Sequence, residues 1–199
     1  DAVDAGELSL DEELIVSHRA ASQPPVKLGL KKGQKIRVHD AVQALAVKSS
    51  NDVALVLAER IGGSEAKFAY MMTKKARGLG MDSTTYRNAS GLPDPWQVTT
   101  ARDQAKLGDH LLRTHAQHYH YFGQETFRWK GRTLRNHNNL LGSVDGVDGF
   151  KTGYTDASGY NLAISAQRNG RRIVAVVLGG ASGASRDRHM AKLIDRSFK

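Results

Sequence analysis

The sequence predicts an α+β fold. A first half rich in helical patterning gives way near the end to three strand-like segments in succession, and an amphipathic helix closes the chain. The strand candidates are residues 147–154, 160–167 and 172–178; short connections between them require antiparallel pairing. The last two flank Arg168-Asn169-Gly170-Arg171, where Asn-Gly supplies the two positive-φ positions of a tight hairpin. The predicted architecture is a single domain: an antiparallel sheet flanked by helices, with a mainly helical lobe over about residues 30–125 and the sheet and closing helix over about 126–199.

Residues 2–8 read as the last turns of a helix closed by Gly6, and residues 14–17 as a short strand. A loop containing Pro24-Pro25 covers 20–33. Asp40 is placed to cap a helix over 41–47, its carboxylate accepting the first free backbone N–H groups. The polar break Lys48-Ser49-Ser50-Asn51-Asp52 interrupts the apolar pattern, which resumes over 53–61 and stops at Gly62-Gly63. A third helix spans 64–78, with Phe68, Met71 and Met72 on one face. Residues 88–96 form a Gly/Pro-rich loop, 100–113 a fourth helix, and 186–198 the closing helix with Met190, Leu193, Ile194 and Ser197 on one side.

Composition narrows the function. The chain has 199 residues, 40% hydrophobic and 25% charged, which is ordinary for a globular domain and excludes a disordered tail. Cysteine is absent, so thiolate metal ligands, a thiol nucleophile and disulfides are excluded. Even a run as long as Ile173 to Leu178, which no other apolar run exceeds, is far short of the roughly 18 residues of a membrane span. The net charge is +9, concentrated in residues 101–199, which suits an anionic ligand or a solvated basic face. No recognised nucleic-acid module accompanies it. The opening Asp1-Ala2-Val3 has neither an initiator Met nor an apolar leader, as in a processed product or a fragment.

Two short motifs carry the chemistry. Ser49-Ser50-Asn51 sits at the break between two helices, where polar side chains can face a cleft. Lys151-Thr152-Gly153 sits on a strand, combining a cation, a hydroxyl donor and a residue without a side chain, as suits binding of an acyl group that bears a carboxylate. Either tripeptide alone is weak evidence. Their order and surrounding phrases (residues 48–53, 76–81, 88–92, 136–141 and 147–162) are stronger.

Taken together, the chain resembles the low-molecular-mass penicillin-binding D-alanyl-D-alanine carboxypeptidases, whose motifs run Ser-x-x-Lys, Ser-x-Asn, Lys-Thr-Gly. The resemblance implies the β-lactamase/transpeptidase-like form of the α+β class. It also implies a serine-type peptidase of peptidoglycan stem peptides ending in D-Ala-D-Ala, acylated by β-lactam antibiotics, acting in the periplasm or at the cell surface, without a cofactor. By this resemblance Ser49 relays a proton to the leaving D-Ala, Asn51 hydrogen-bonds the substrate amide, and Lys151 strengthens the positive potential. Thr152 and Gly153 bind the substrate end, and Arg186, with Arg188 as competitor, receives the terminal carboxylate. The Ser-x-x-Lys of the family belongs before residue 1, so residues 1–199 alone are expected to be inactive, and neither a membrane-anchoring helix nor a C-terminal β-domain is read in them.

Ser64-Glu65-Ala66-Lys67 matches the first motif in letters but comes after Ser49-Asn51; Ser64 reads as a helix cap and Lys67 as a solvated residue. His110, His115, His118 and His120 read as a wet surface rather than a metal centre, because no acidic residue follows at ligand spacing. Arg168, Arg171 and Arg172 read as a solvated hairpin patch, and Asp145 and Asp148 as residues leading into a strand. The rivals are a β-lactamase, for which Glu125 is the only residue to consider as water activator, a DD-endopeptidase, and a non-catalytic peptidoglycan-binding module.

Overall fold

The computed structural model describes residues 1–199. The helix tail expected at the start is a single closing turn. Gly6 takes φ +73°, its N–H reaches Val3 C=O at 3.1 Å, and the Glu7 N–H reaches back to Ala2 C=O at 2.9 Å. This pair of bonds satisfies the carbonyls a helix end leaves free, and glycine alone adopts the required φ without strain. Strand β1 (Glu13–Ile15) then pairs antiparallel with β2 (Lys35–Arg37), and Leu14 lies buried opposite Ile36. The predicted loop between them contains one helical turn, α1 (His18–Ala21), capped by Ser17 Oγ accepting from Ala20 N–H at 2.9 Å.

Helix α2 (Val38–Gln43) starts earlier than predicted. Strand β2 runs straight into it, so Arg37 occupies the cap position and Asp40 lies inside the first turn, 3.5 Å from Arg37. The Asp40 carboxylate still favours the positive end of the helix, though not as its cap. Then α2 widens into a π-helical turn, Ala44–Lys48, and breaks at Ser49, which takes the left-handed conformation (φ 60°, ψ 45°). Helix α3 (Asn51–Gly62) starts at once and stops at Gly63, φ +71°. Helices α4 (Glu65–Gly78) and α5 (Ala101–Thr114) follow, capped by the Ser64 and Thr100 side chains.

A 3₁₀ turn (Ala116–Tyr121) and a hairpin of β3 (Thr126–Trp129) and β4 (Arg132–Arg135) were not legible in the sequence. Phe127, Trp129 and Leu134 pack into the core built from Val47, Val53, Leu55 and Leu57, so residues 126–135 join the helical lobe although they lie beyond the expected boundary.

The sheet follows the prediction. Strands β5 (Val147–Thr155), β6 (Gly159–Arg168) and β7 (Arg171–Gly180) form an antiparallel meander in that order, and Arg168 pairs with Arg171 across Asn169 and Gly170, both at positive φ. Helix α6 (Gly183–Ser197) begins three residues before the predicted Arg186, because Ser182 and Ser185 exchange side-chain and backbone hydrogen bonds in a capping box. Met190 and Ile194 of α6 cover Leu162, Ile164 and Ala166. Helix α5 packs on β6 and β7 too, and its Gly108 permits close approach: a Cβ there would stand 2.9 Å from Phe150 and 3.0 Å from Val174.

Candidate active site

A cleft of about 1280 Å³ lies between the sheet and the helical lobe. Its lining includes Ser49, Asn51, Lys151, Thr152, Gly153 and Arg186, so one cavity collects both motifs and the first of the two candidate arginines.

One wall is the break between α2 and α3. Ser49, in its left-handed conformation, donates its backbone N–H to Leu45 C=O at 3.2 Å, and its hydroxyl makes no hydrogen bond within the protein. Ser50 is fully buried. Asn51 donates Nδ2–H to Pro24 C=O at 3.1 Å and its backbone N–H to Val26 C=O at 2.8 Å, while its Oδ1 accepts nothing. The turn is anchored by Asp52, to which the sequence reading gave no role. Its buried carboxylate accepts the backbone N–H groups of Leu28, Gly29, Leu30 and Val53 at 2.9–3.1 Å, tying the loop 28–30 to the start of α3.

The opposite wall is β5. Lys151 pairs with Ala163, Thr152 with Leu162 and Gly153 with Asn161 of β6. Lys151 Nζ donates to Thr152 C=O at 3.0 Å; burial, reinforced by the charge of Arg186, holds the amine down at about 8. A Cβ at Gly153 would meet only Asn161 Cβ, at 3.9 Å, so the protein's own packing does not demand glycine there. What glycine keeps clear is the cleft.

Arg186 closes one end. It is 5% exposed; Nη1 donates to Asn161 C=O at 3.2 Å, and Nε and Nη2 donate to one oxygen of Asp187 at 2.9 and 2.7 Å. The other Asp187 oxygen accepts from Asn139 Nδ2 at 3.2 Å. This charge pair orients the guanidinium while leaving two of its five N–H groups unused. Arg188 is exposed and outside the cleft lining, so Arg186 is the cleft arginine.

His137 also lines the cleft, and the sequence reading gave it no role. Burial, then the charges of Lys151 and Lys48, hold its imidazole below the ordinary histidine range. Only the placement of 136–141 beside β5 could have shown this.

The decoy Ser-x-x-Lys resolves as a cap: Ser64 Oγ accepts from Lys67 N–H at 3.3 Å, and neither residue lines the cleft. Exposed Glu125 is outside the cleft too, away from any water a β-lactamase would activate there. The basic patch is partly ion-paired, Arg168 with Asp145 and Asp195 and Arg172 with Asp148. The histidine run, by contrast, meets acids from the other end of the chain, Asp1 and Asp4.

The family model described as D-alanyl-D-alanine carboxypeptidase matches residues 1–182. The chain is 34% identical over 200 residues to the D-alanyl-D-alanine carboxypeptidase DacD of Salmonella typhimurium, covering 97% of this chain and 51% of that protein. It is 32% identical over 206 residues to DacF of Bacillus subtilis, covering 100% and 52%. The chain therefore spans about half the length of these relatives. Among solved structures, the DacD carboxypeptidase of Francisella tularensis superposes with TM-score 0.97 at 30% identity, covering 100% of this chain and 60% of that one. An ampicillin-bound penicillin-binding protein of Listeria monocytogenes superposes with TM-score 0.89 at 36% identity, covering 100% and 81%. With its fold and nearly its whole length matched, the chain belongs to the D-alanyl-D-alanine carboxypeptidase family.

Proposed function

We propose that the cleft is the substrate-binding half of a serine-type D-Ala-D-Ala carboxypeptidase, which removes the terminal D-Ala of a peptidoglycan stem peptide through an acyl-enzyme and is acylated by β-lactams. The observation that carries this reading is the convergence of the Ser49-Ser50-Asn51 turn, the Lys151-Thr152-Gly153 strand and Arg186 on one cavity. The free Asn51 Oδ1 is an acceptor for a substrate N–H. Thr152 and the two unused Arg186 N–H groups suit the terminal carboxylate, for which a guanidinium is well shaped. The uncommitted Ser49 hydroxyl is free to pass a proton to the leaving amine, with the Lys151 cation favouring negative charge that develops beside it.

Acyl transfer also needs a nucleophile beside a base. No serine hydroxyl in residues 1–199 hydrogen-bonds a lysine amine, so the reading assigns that pair to the Ser-x-x-Lys segment that the family resemblance implies, outside residues 1–199. Peptidoglycan lies outside the cytoplasmic membrane, and the reading accordingly puts the protein in the periplasm or at the cell surface. No helix of the chain is long and apolar enough to cross a membrane.

The test is labelling by a fluorescent penicillin of a chain carrying a Ser-x-x-Lys segment ahead of Asp1. Labelling is expected, and Lys151→Ala should slow it by on the order of 10²–10³, the usual effect of losing one preorganised electrostatic group. Labelling of Lys151→Ala at the unsubstituted rate would overturn the assignment.

A further inference from the structure

Where the end of α5 meets the first turn of the chain, two histidines and two aspartates converge in a way that the carboxypeptidase reading does not use. Asp1, His110 and His115 each bring one ligand-type atom, and these atoms lie within 4.8 Å of one another. The sequence alone hides this, because the acids come from the first turn of the chain and the histidines from α5 and the residue after it.

The hydrogen bonds assign the ring nitrogens. His115 Nδ1 lies 2.6 Å from Asp4 Oδ2, leaving Nε2 turned toward Asp1, 3.1 Å from Oδ1. His110 Nδ1 lies 3.2 Å from Thr114 Oγ1, and its Nε2 is shielded from solvent with no partner in the protein. Each imidazole is thus held by its δ nitrogen, with its ε nitrogen facing the same space. This is how metal-bound histidines are usually oriented, and a carboxylate behind the ring, as Asp4 is behind His115, is the commonest support. A buried ring nitrogen without a partner is otherwise costly.

Carboxylates gather here as well. Asp4 lies 2.6 Å from His115 Nδ1 and 2.7 Å from His118 Nε2. Asp1 supplies a second carboxylate, and its Oδ2 has no protein partner. Lys75, 3.1 Å from Asp1 Oδ1, and the amino group of Asp1 balance the two carboxylates, so the histidine nitrogens rather than net charge argue for a metal.

We infer that Asp1, His110 and His115 bind a divalent transition metal, of which zinc best matches two imidazoles and a carboxylate, with Asp4 positioning His115. Zinc takes nitrogen and oxygen ligands at about 2.0–2.2 Å, so donor atoms now within 4.8 Å of one another draw together around the ion and a fourth position remains for water. The ion fastens the first turn of the chain to the end of α5 and releases no group but the ligand protons it displaces.

Titration of zinc chloride into the tag-free chain, followed by calorimetry and by thermal unfolding, tests this. One equivalent should bind and raise the unfolding temperature, as a ligand selective for the folded state must. His110→Ala and His115→Ala should abolish both effects, and Asp4→Asn should weaken binding by about 10–100-fold, as loss of such a support does. His120→Gln, whose ring faces the Gln117 carbonyl instead, should change nothing. Far-UV circular dichroism checks that each variant is folded. Absence of zinc binding by the unsubstituted chain, or undiminished binding by folded His110→Ala, would overturn the inference.

Discussion

Arg186 Nη1 donates to the backbone carbonyl of Asn161, the residue paired with Gly153 across β5 and β6. The guanidinium is therefore fixed to the sheet at the level of the Lys151-Thr152-Gly153 motif, although it belongs to the helix that follows β7. This places two cations in one cleft, and the Arg186 charge adds to burial in depressing the Lys151 amine.

The first prediction concerns pH. Lys151 titrates near 8 in the folded chain instead of its ordinary 10.5, so between these values the unfolded chain binds more protons and stability rises with pH. Lys151→Met should flatten that rise in urea unfolding measured across the interval. Arg186→Gln removes a like charge and should move the lysine titration upward, read from the side-chain carbon resonances of labelled lysine. An unmoved titration would separate the two residues electrostatically.

Arginine identity is testable separately. Arg186→Ala should weaken binding of a peptide ending in free D-Ala-D-Ala by about 10–100-fold, the worth of a hydrogen bond to a charged group, and barely affect the amidated peptide. Arg188→Ala should affect neither. Equal losses on both peptides would show that Arg186 serves the fold through Asp187 rather than the ligand.

Asp52 should prove the stability anchor of the Ser49-Asn51 turn. Asp52→Ala leaves the N–H groups of Leu28, Gly29 and Leu30 without their acceptor; of these Leu30 is buried, and an unpaired buried donor costs about 1–3 kcal/mol. Urea unfolding should register a loss of about 1–3 kcal/mol, on the same scale. A loss under ~1 kcal/mol would mean that water or a shifted loop replaces the carboxylate.

Residues 1–199 alone, exposed to penicillin and weighed as intact protein, should show no covalent adduct. Ser64→Ala should cost ~1 kcal/mol of stability, as removal of a helix cap does, and leave that result unchanged. An adduct mapped to Ser64 would promote the cap to nucleophile.

The sequence by itself determined what local rules govern. The Asn169-Gly170 turn, the strands on either side, the Gly63 helix stop and the Ser64 cap depend on neighbours within a few residues, and each stands where the pattern put it. The Ser49-Ser50-Asn51 break and the Lys151-Thr152-Gly153 strand were legible as motifs for the same reason. Tertiary structure decided the rest. Whether Asp40 caps α2 depended on β2 running directly into that helix, a pairing set by Leu14 some two dozen residues earlier. The hairpin of β3 and β4 gains its burial from the helical lobe, so its short polar strands carried little signal of their own. Asp52 reaches back to Leu28, and Asp4 crosses to His115; neither partner is predictable from spacing. Local hydrogen bonding and backbone sterics are written within a few residues of sequence, whereas burial and charge pairing exist only once distant segments are brought together.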